Sequence, residues 1–309
     1  MEKFRLIDTI KELYKKGENI IQYLKGLEKR KFNTIEDILI SYDFQAGSYI
    51  KQYLTSPEYG KKYCQSLAAV INKLGNFDSV LEAGVGEATT LGVMVSSLSQ
   101  LPKNILGFDL SWSRVNFAKS FVADRGLKNV TLFTSDLFEI PLADNSVDVV
   151  YTSHSIEPNG GKEKEALTEL YRIAKKYLVL LEPSFELGSE EARQRMLSHG
   201  YVTTLHSTAL SLGHKIIEHR LFDISDNPLN PTGLIIIEKD VNSNNEAKLV
   251  CPVSKSPLRN IDNHVLYSDE SLLAYPIIKG IPCLLQQNAV LATHFNLNYG
   301  KFKDALLSK

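Results

Sequence analysis

The stretch SVLEAGVGEATTL, residues 79–91, holds residues whose types and spacing could do chemistry. Glu82, Gly84 and Gly86 stand two residues apart, after an apolar segment typical of a buried strand and before a segment able to start a helix. Glycines at such a place let the chain turn sharply and let a ligand approach the backbone. A strand, glycine loop and helix in this order are typical of a site for a nucleotide-like cofactor.

Two classes of cofactor compete for this loop. A dinucleotide needs the pattern G-x-G-x-x-G, but Gly84 and Gly86 are followed by Glu87, Ala88 and Thr89, so the third glycine is missing. Glu87 would also place a negative charge beside a pyrophosphate. S-adenosylmethionine carries no phosphate, its carboxylate can use backbone donors at a helix start, and its ammonium and sulfonium groups tolerate nearby carboxylates. Electrostatics therefore favours S-adenosylmethionine as the cofactor.

The elements that must position this loop alternate between strand and helix from Phe77 onward. Strands separated by helices of about ten to fifteen residues predict a parallel sheet with helices on both faces. HKIIEHRLFDI and TGLIIIEKD, joined by the turn-rich SDNPLNP, predict a final hairpin-like pair and an antiparallel strand at or near the sheet edge. We predict an α/β fold in which residues 76–241 form a Rossmann-like, seven-stranded, mostly parallel sheet.

Residues 1–75 are predicted to form a helical N-terminal cap. Thr34, with Asp37 three residues later, predicts the start of a helix over IEDILISYDFQAGSYIKQYL. Tyr42, Gln45 and Tyr49 would then share one helical face. Tyrosine rings suit a sulfonium through cation–π attraction, so these residues are candidates for a lid over the cofactor. A helix that only packs its aromatic side chains against the sheet is the alternative.

At this point the chain resembles class I S-adenosylmethionine-dependent methyltransferases, over about residues 77–240. Glu82-x-Gly84-x-Gly86-x-Ala88 is similar to the family's first motif, with Ala88 at its frequent third glycine. The resemblance implies that this acidic and glycine-rich loop holds S-adenosylmethionine. The simpler alternative is that the two glycines only permit a tight turn.

Two later segments extend the resemblance. GFDLSWSRVNFAK ends its strand in Asp109, which by resemblance holds the ribose hydroxyls, and LFTSDLFEIPLADNSVDVVYTSHSIE contains Asp136, the implied acidic contact of the adenine amino group. Leu110 and Leu137, which follow these acids, and Ser153 at the end of the fourth strand are expected at the cofactor as well. Alternatively Asp109 caps a helix beginning at Ser111, and Asp136 lies in an ordinary loop.

Candidates for the acceptor side follow the fourth and fifth strands. Because ligands lie beyond the carboxyl ends of parallel strands, Glu157 and Glu182 should face one cleft, with His154 nearby. His154 or Glu157 could serve as a general base if the acceptor arrives protonated, and paired carboxylates could equally bind an amine. We predict His154, Glu157 and Glu182 as catalytic residues, the alternative being that the glutamates cap helices or pair with cations. Three further residues are typed for substrate recognition: Arg195, His199 and Tyr201.

The segments LVCPVSKSPL and LLAYPIIKGIPCLL resemble the small zinc-ribbon-like activator subunits that partner methyltransferases. We assign residues 247–309 to a small α+β domain of this kind, ending in a helix. Where the metal-binding members carry a second cysteine this chain has Ser254, and Cys251, Cys283 and His264 stand at no recognisable ligand spacing. We therefore expect no metal. The resemblance implies intramolecular support of the methyltransferase domain or a homodimer contact.

Composition removes several classes of protein. The chain has 309 residues, a net charge of -1 and 43% hydrophobic residues, as in a globular protein. A near-neutral chain gives no reason to expect nucleic acid as a partner, and no apolar run reaches the roughly 18 residues that cross a bilayer. The N-terminus lacks the apolar core of a signal peptide, and three widely spaced cysteines give no disulfide framework. We expect a cytoplasmic protein without membrane contact.

The functional hypothesis is methyl transfer from S-adenosylmethionine to nitrogen or oxygen of a small polar metabolite. A methyltransferase acting on RNA or protein is the nearest alternative, because the activator subunits support enzymes that act on tRNA, rRNA or a translation factor. A nicotinamide-dependent oxidoreductase is opposed by the missing third glycine and by Glu87. A binding scaffold without chemistry is opposed by the intact loop and by Asp109.

Overall fold

The structure is a computed structural model that describes residues 2–225, 227–297 and 303. Its N-terminal region is helical, which confirms the prediction for this region. The helices before the first strand follow a 3-10 turn at Glu2–Leu6 and are α1 (Ile7–Lys15), α2 (Ile20–Leu27), α3 (Ile35–Phe44), α4 (Ser48–Thr55) and α5 (Pro57–Asn72).

The central region alternates strand and helix. Its elements are β1 (Ser79–Ala83), α6 (Thr89–Val95), β2 (Asn104–Asp109), α7 (Trp112–Asp124), β3 (Val130–Thr134), β4 (Val147–Ser153), α8 (Glu163–Ile173), β5 (Ala174–Pro183), α9 (Glu190–His199), α10 (Leu205–Ser211), β6 (Lys215–Leu221) and β7 (Thr232–Glu238). Within the described residues the strands form a seven-stranded sheet in the order β3-β2-β1-β4-β5-β7-β6. The first five strands pair in parallel, whereas β7 runs antiparallel to β5 and β6. The predicted sheet and its antiparallel strand near the edge are confirmed.

Both faces of this sheet are covered, as near-continuous apolar strands require. On one face Leu67 of α5, Leu91 of α6 and Val115 of α7 pack over the strands. On the other face Leu167 of α8 and Ala209 of α10 do the same. The carboxyl ends of β1 to β4 are therefore held at one edge between two packed layers, and the loops that follow them can form a rigid site.

The helix predicted from Ile35 through the end of IEDILISYDFQAGSYIKQYL is interrupted. Its start is confirmed, since the Thr34 hydroxyl accepts from the Asp37 N–H and the Asp37 carboxylate accepts from the Thr34 N–H. The chain leaves the helix after Phe44, and α4 starts anew after Gly47, whose φ of 96° is left-handed. Tyr42 and Tyr49 therefore sit on two helices rather than on one face.

The small strands of the C-terminal region form a second sheet beside the β3 edge of the central sheet. They are β8 (Arg259–Ile261), β9 (Val265–Ser268), β10 (Leu273–Ile278), β11 (Ile281–Pro282) and β12 (Val290–Leu291). The Leu284 N–H donates to the Thr134 carbonyl at 3.0 Å, and the Val250 N–H donates to the Pro141 carbonyl at 2.9 Å. Residues 134–142, the loop after β3, are thus held at both ends by this region. The predicted final helix lies outside the described residues.

Among the described residues, no helix combines the length and the apolar character that a membrane span needs.

Candidate active site

A cavity of about 1020 Å³ opens over the carboxyl ends of β1 to β4 and beneath the N-terminal helices. It is large enough for a nucleoside cofactor together with a small acceptor. Nearly all the residues predicted from the sequence line it: Tyr42, Gln45, Tyr49, Glu82, Gly84, Gly86, Asp109, Leu110, Asp136, Leu137, Ser153, His154 and Glu157. Glu182 does not.

The glycine loop is packed too tightly for side chains. A Cβ on Gly84 would lie 2.2 Å from the Ser155 Cβ, so the loops after β1 and β4 meet at this glycine. Gly84 and Gly86 have φ values of 72° and 53°, and Ala88 has 58°. The third position of the motif therefore needs the left-handed conformation, which an alanine adopts at a cost of about 1 to 2 kcal/mol. The cradle is shaped for direct approach of a ligand to backbone.

Asp109 closes the far wall of this cradle. Its carboxylate accepts from the Gly86 N–H at 3.0 Å and from the Ser111 N–H at 2.8 Å. Burial raises its pKa. An ionised carboxylate has about four acceptor sites, so two remain for donors in the cavity. Ribose hydroxyls fit that requirement.

Glu82 lies at the floor of the cavity. Its side chain is 2% exposed and accepts from the Tyr151 hydroxyl at 2.9 Å. Burial raises its pKa to about 8. A buried carboxyl of this kind is matched by a cationic ligand group, which would favour its ionised form.

The loop after β3 supplies the next wall. The Phe138 N–H donates to Asp136 Oδ1 at 3.0 Å, and burial raises the pKa of Asp136. Leu137 and Phe138 line the cavity beside it. This combination of apolar side chains and one carboxyl fits an adenine ring with its amino group. Asp136 lies inside the segment held by the C-terminal region.

Two acidic residues latch the N-terminal helices onto the sheet. The Glu87 carboxylate accepts from the N–H groups of Gly47, Tyr49 and Ile50 at 3.0, 3.3 and 2.7 Å and so caps α4. In the opposite direction, Asp43 accepts from Ser111 Oγ at 2.6 Å and from the Ser113 N–H at 3.1 Å at the start of α7. Glu87 interrupts the predicted helix because its carboxylate provides the cap of a new one.

An arginine that the sequence analysis missed stacks against tyrosines of α3 and α4. The Arg114 guanidinium carbon lies 4.7 Å from the ring centroid of Tyr42 and 4.7 Å from that of Tyr49. The two tyrosines, expected to face a sulfonium, thus enclose a cation of the protein itself. An arginine in the first turn after DLS, on the helix that follows Asp109, was the available signal.

His154 and Glu157 form a pair at the other end of the cavity. His154 Nδ1 lies 2.7 Å from Glu157 Oε2, and its Nε2 lies 2.9 Å from Thr232 Oγ1. His154 has a left-handed backbone with φ 55°, a strained conformation of the kind that clusters at functional sites. Burial alone would raise the pKa of Glu157, but hydrogen bonds from His154 and Tyr201 lower it. The carboxylate is therefore charged and oriented.

Glu182 has a different place from the one expected. Its carboxylate accepts from the N–H groups of Ser155, Ile156 and Glu157 at 3.0, 3.2 and 2.9 Å, and the side chain is 3% exposed. Burial raises its pKa. Since β4 and β5 are neighbours, Glu182 meets the loop after β4 from below rather than from the cavity. It holds the backbone N–H of Glu157 and does not line the cavity.

The three recognition candidates after β5 divide in the same way. His199 and Tyr201 line the cavity, together with Asn33 and Asn230 from other parts of the chain. Arg195 does not line it. The Arg195 guanidinium instead stacks on Tyr201 at 5.6 Å and donates to Asn230 Oδ1 at 3.0 Å.

In the C-terminal region, Cys251 Sγ lies 3.3 Å from Ser271 Oγ and 3.5 Å from the Tyr275 hydroxyl. Ser254 Oγ lies 2.7 Å from Ser256 Oγ, which lies 2.9 Å from Ser268 Oγ. Within the part of the chain that the structure describes, no three His, Cys, Asp or Glu side chains converge as metal ligands would. A hydroxyl network joins the ends of this small sheet.

Two family models match the chain. The model of a methyltransferase domain matches residues 80–177. The model of Trm112p-like proteins matches residues 249–280.

Short stretches of two curated proteins are similar. Rat mitochondrial protein preY is 50% identical over 42 residues, 13% of this chain and 38% of that protein. The chain therefore spans less than two thirds of the rat protein. A UPF0434 protein of Vesicomyosocius okutanii is 51% identical over 41 residues, 13% of this chain and 68% of that protein.

Solved structures are similar at low identity. A SAM-dependent methyltransferase from Aquifex aeolicus is 20% identical, with a TM-score of 0.46 over 62% of this chain and 97% of that one. Magnesium protoporphyrin IX methyltransferase from Synechocystis PCC 6803, with bound SAH, is 13% identical, with a TM-score of 0.49 over 65% and 98%.

Proposed function

We propose that this chain, which belongs to the S-adenosylmethionine-dependent methyltransferases and carries a Trm112p-like segment, methylates nitrogen or oxygen of a small polar metabolite. One observation carries the proposal. The His154–Glu157 pair stands in the same lidded cavity as the glycine loop and Asp109. A proton-accepting pair and a cofactor cradle in one closed space are what methylation of an amine or hydroxyl requires.

The cavity residues divide into roles for the cofactor. Asp109 would accept from the ribose hydroxyls, Asp136 would accept from the adenine amino group, and Glu82 would face the cationic methionine end. Gly84 and Gly86 keep side chains out of the cradle. S-adenosylmethionine, when bound, supplies an electrophilic methyl group on a sulfonium.

The acceptor end orients a nucleophile and takes its proton. Glu157, held ionised by His154 and Tyr201, attracts a hydroxyl or ammonium hydrogen. His154, fixed between Glu157 and Thr232, orients that carboxylate and shares the proton as it leaves the acceptor. The side chains of Asn33, Asn230 and Tyr201 give further polar contacts around the acceptor.

The charge of the cavity favours neutral or cationic acceptors. Its described lining includes six carboxylate residues and Arg114 as the one lysine or arginine. Phosphorylated acceptors would meet repulsion near Glu157. This opposes the second candidate, methylation of RNA, while the Trm112p-like segment favours a macromolecular acceptor. The cytoplasmic location and a homodimer stay predictions.

The test measures S-adenosylhomocysteine formed from S-adenosylmethionine with panels of amines, aminosugars, polyols, total RNA and a protein extract. We expect turnover with a small amine or hydroxyl compound, and a loss of about 100-fold or more in kcat for Glu157→Gln with unchanged S-adenosylhomocysteine affinity. Glu165→Gln, an exposed carboxylate on α8, is the matched control. Turnover with RNA or protein alone would contradict the small-molecule acceptor.

A further inference from the structure

Arg114 is held in an unusual setting for a charged side chain. It is 7% exposed, and its guanidinium stacks against the rings of Tyr42 and Tyr49, with 4.7 Å from the guanidinium carbon to each ring centroid. Stacking leaves the edge of a guanidinium, where its N–H groups point, available for other partners. The lid therefore fixes the plane of this cation without using its hydrogen-bond donors.

Those donors lack partners. Neither Nε nor Nη2 of Arg114 donates a hydrogen bond to any group in the described residues, although both atoms are shielded from solvent. A buried donor left without an acceptor is costly, and more so when it is charged. Arg114 lines the cavity, and its Nη1 would lie 3.4 Å from a Cβ on Gly86. Nη1 is thus the guanidinium nitrogen that lies beside the cofactor cradle.

Three backbone donors of the glycine loop are already used within the protein. The Val85 N–H donates to the Phe108 carbonyl at 2.7 Å and the Ala88 N–H to the Val85 carbonyl at 2.8 Å. The Gly86 N–H donates to Asp109. The helix that follows, α6, is a short segment of 7 residues. These three N–H groups are therefore not available to a carboxylate.

The charges around the cavity leave one place for an anion. Six acidic residues line it: Glu18, Glu82, Glu87, Asp109, Asp136 and Glu157. Among the described lining residues Arg114 is the one lysine or arginine. An anionic ligand group is repelled elsewhere and attracted there.

We propose that Arg114 binds the α-carboxylate of the cofactor's methionine moiety through the Nη1 group of its guanidinium. A hydrogen bond from a guanidinium N–H to a carboxylate is charge-assisted and stronger than one between neutral groups. Because Tyr42 and Tyr49 belong to α3 and α4, carboxylate recognition and closure of the lid become one event. The proposal depends on S-adenosylmethionine as cofactor and not on the identity of the acceptor.

The test compares two ligands that differ by the carboxylate alone, S-adenosylmethionine and decarboxylated S-adenosylmethionine, by calorimetric titration of the full chain. We expect Arg114→Gln to weaken S-adenosylmethionine by about 10- to 100-fold, since hydrogen bonds to charged groups contribute at that level. The affinity for the decarboxylated ligand should change by less than about twofold. Arg114→Lys, which keeps the charge but not the planar guanidinium, should bind S-adenosylmethionine with an affinity between those of the unchanged protein and Arg114→Gln.

Arg125→Gln is the matched control. Arg125 follows the opposite end of the same helix, α7, as its C-cap residue. Its guanidinium carbon is 5.7 Å from the Tyr53 ring and 5.2 Å from the Phe121 ring, and its Nε also lacks an acceptor within the described chain. It does not line the cavity, so its substitution should leave both affinities unchanged.

Three results would overturn the role of Arg114. Equally weakened binding of both ligands would show that Arg114 only packs the lid. Unchanged binding of both ligands would show that Arg114 does not contact the cofactor. Loss of acceptor binding with unchanged S-adenosylmethionine affinity would show that Arg114 binds an anionic group of the acceptor rather than of the cofactor. Failure of the unchanged protein to bind either ligand would instead contradict the cofactor itself.

Discussion

Binding of S-adenosylmethionine should strengthen as the pH rises through the pKa of Glu82. The free carboxyl is buried, and burial raises its pKa to about 8. Three described groups act on it: the Tyr151 hydroxyl and the Leu91 backbone lower the pKa, and Asp109 raises it. Burial and the nearby Glu82 in turn raise the pKa of the Cys64 thiol. A cationic ligand favours the ionised form, so its arrival should release a proton from Glu82.

The magnitude follows from the ionised fraction. With a pKa of about 8, about one tenth of the carboxyls are ionised at pH 7 and about nine tenths at pH 9. If the complex needs the ionised form, the apparent Kd is the intrinsic Kd divided by that fraction. The sign is fixed: a pKa that falls on binding makes affinity rise with pH until the free-state pKa is passed. We expect binding about ninefold tighter at pH 9 than at pH 7.

The assay is calorimetric titration at several pH values in buffers of different ionisation enthalpy, which counts released protons. Glu82→Gln should bind without this dependence, and because the ligand's own ammonium titrates equally with both proteins, the difference isolates Glu82. Tyr151→Phe, which removes the hydrogen bond that lowers the pKa, should move the midpoint upward. Parallel pH profiles for the unchanged protein and Glu82→Gln would refute the reasoning.

Three further substitutions test the walls of the cavity. Asp109→Asn leaves one acceptor oxygen for the Gly86 and Ser111 N–H groups and the ribose, so calorimetry should show S-adenosylhomocysteine binding about tenfold or more weaker; unchanged affinity would contradict the ribose contact. Glu87→Gln removes the charge that caps α4, which should cost about 1 to 2 kcal/mol in denaturant unfolding and speed ligand release in stopped flow; an unchanged release rate would separate the cap from the lid. Leu284→Pro deletes the N–H that bonds the Thr134 carbonyl and should weaken S-adenosylhomocysteine binding, whereas Leu284→Ala keeps that N–H and should retain more affinity; equal losses would refute the backbone contact.

Features that depend on residues close together in sequence could be predicted from the sequence. Glu82, Gly84, Gly86 and Asp109 follow buried strands at short spacing, so the strand pattern alone placed them at one edge of the sheet. The Thr34 start of α3 was equally readable, because its capping box involves residues three apart. These features depend on neighbours in sequence, and the structure has them where they were expected.

Features that depend on distant partners were missed or misplaced. Glu182 is typed for catalysis, but its partners are the N–H groups of Ser155 to Glu157, 25 to 27 residues earlier. The break at Gly47 needs the Glu87 carboxylate, 40 residues away. No periodicity shows which distant donor a carboxylate will meet, so both errors have the same physical origin.

The cofactor cavity is assembled from three parts of the chain, and the two accessory parts act on different walls. The N-terminal helices reach the glycine loop through Glu87 and the start of α7 through Asp43. The C-terminal region reaches the loop that carries Asp136 through backbone bonds at Thr134 and Pro141. Release of the first part should open the proposed methionine and ribose end, whereas disturbance of the second should move the proposed adenine wall. A lid substitution should therefore change ligand release rates, and a C-terminal one should change equilibrium affinity, because only the lid must move for the ligand to pass.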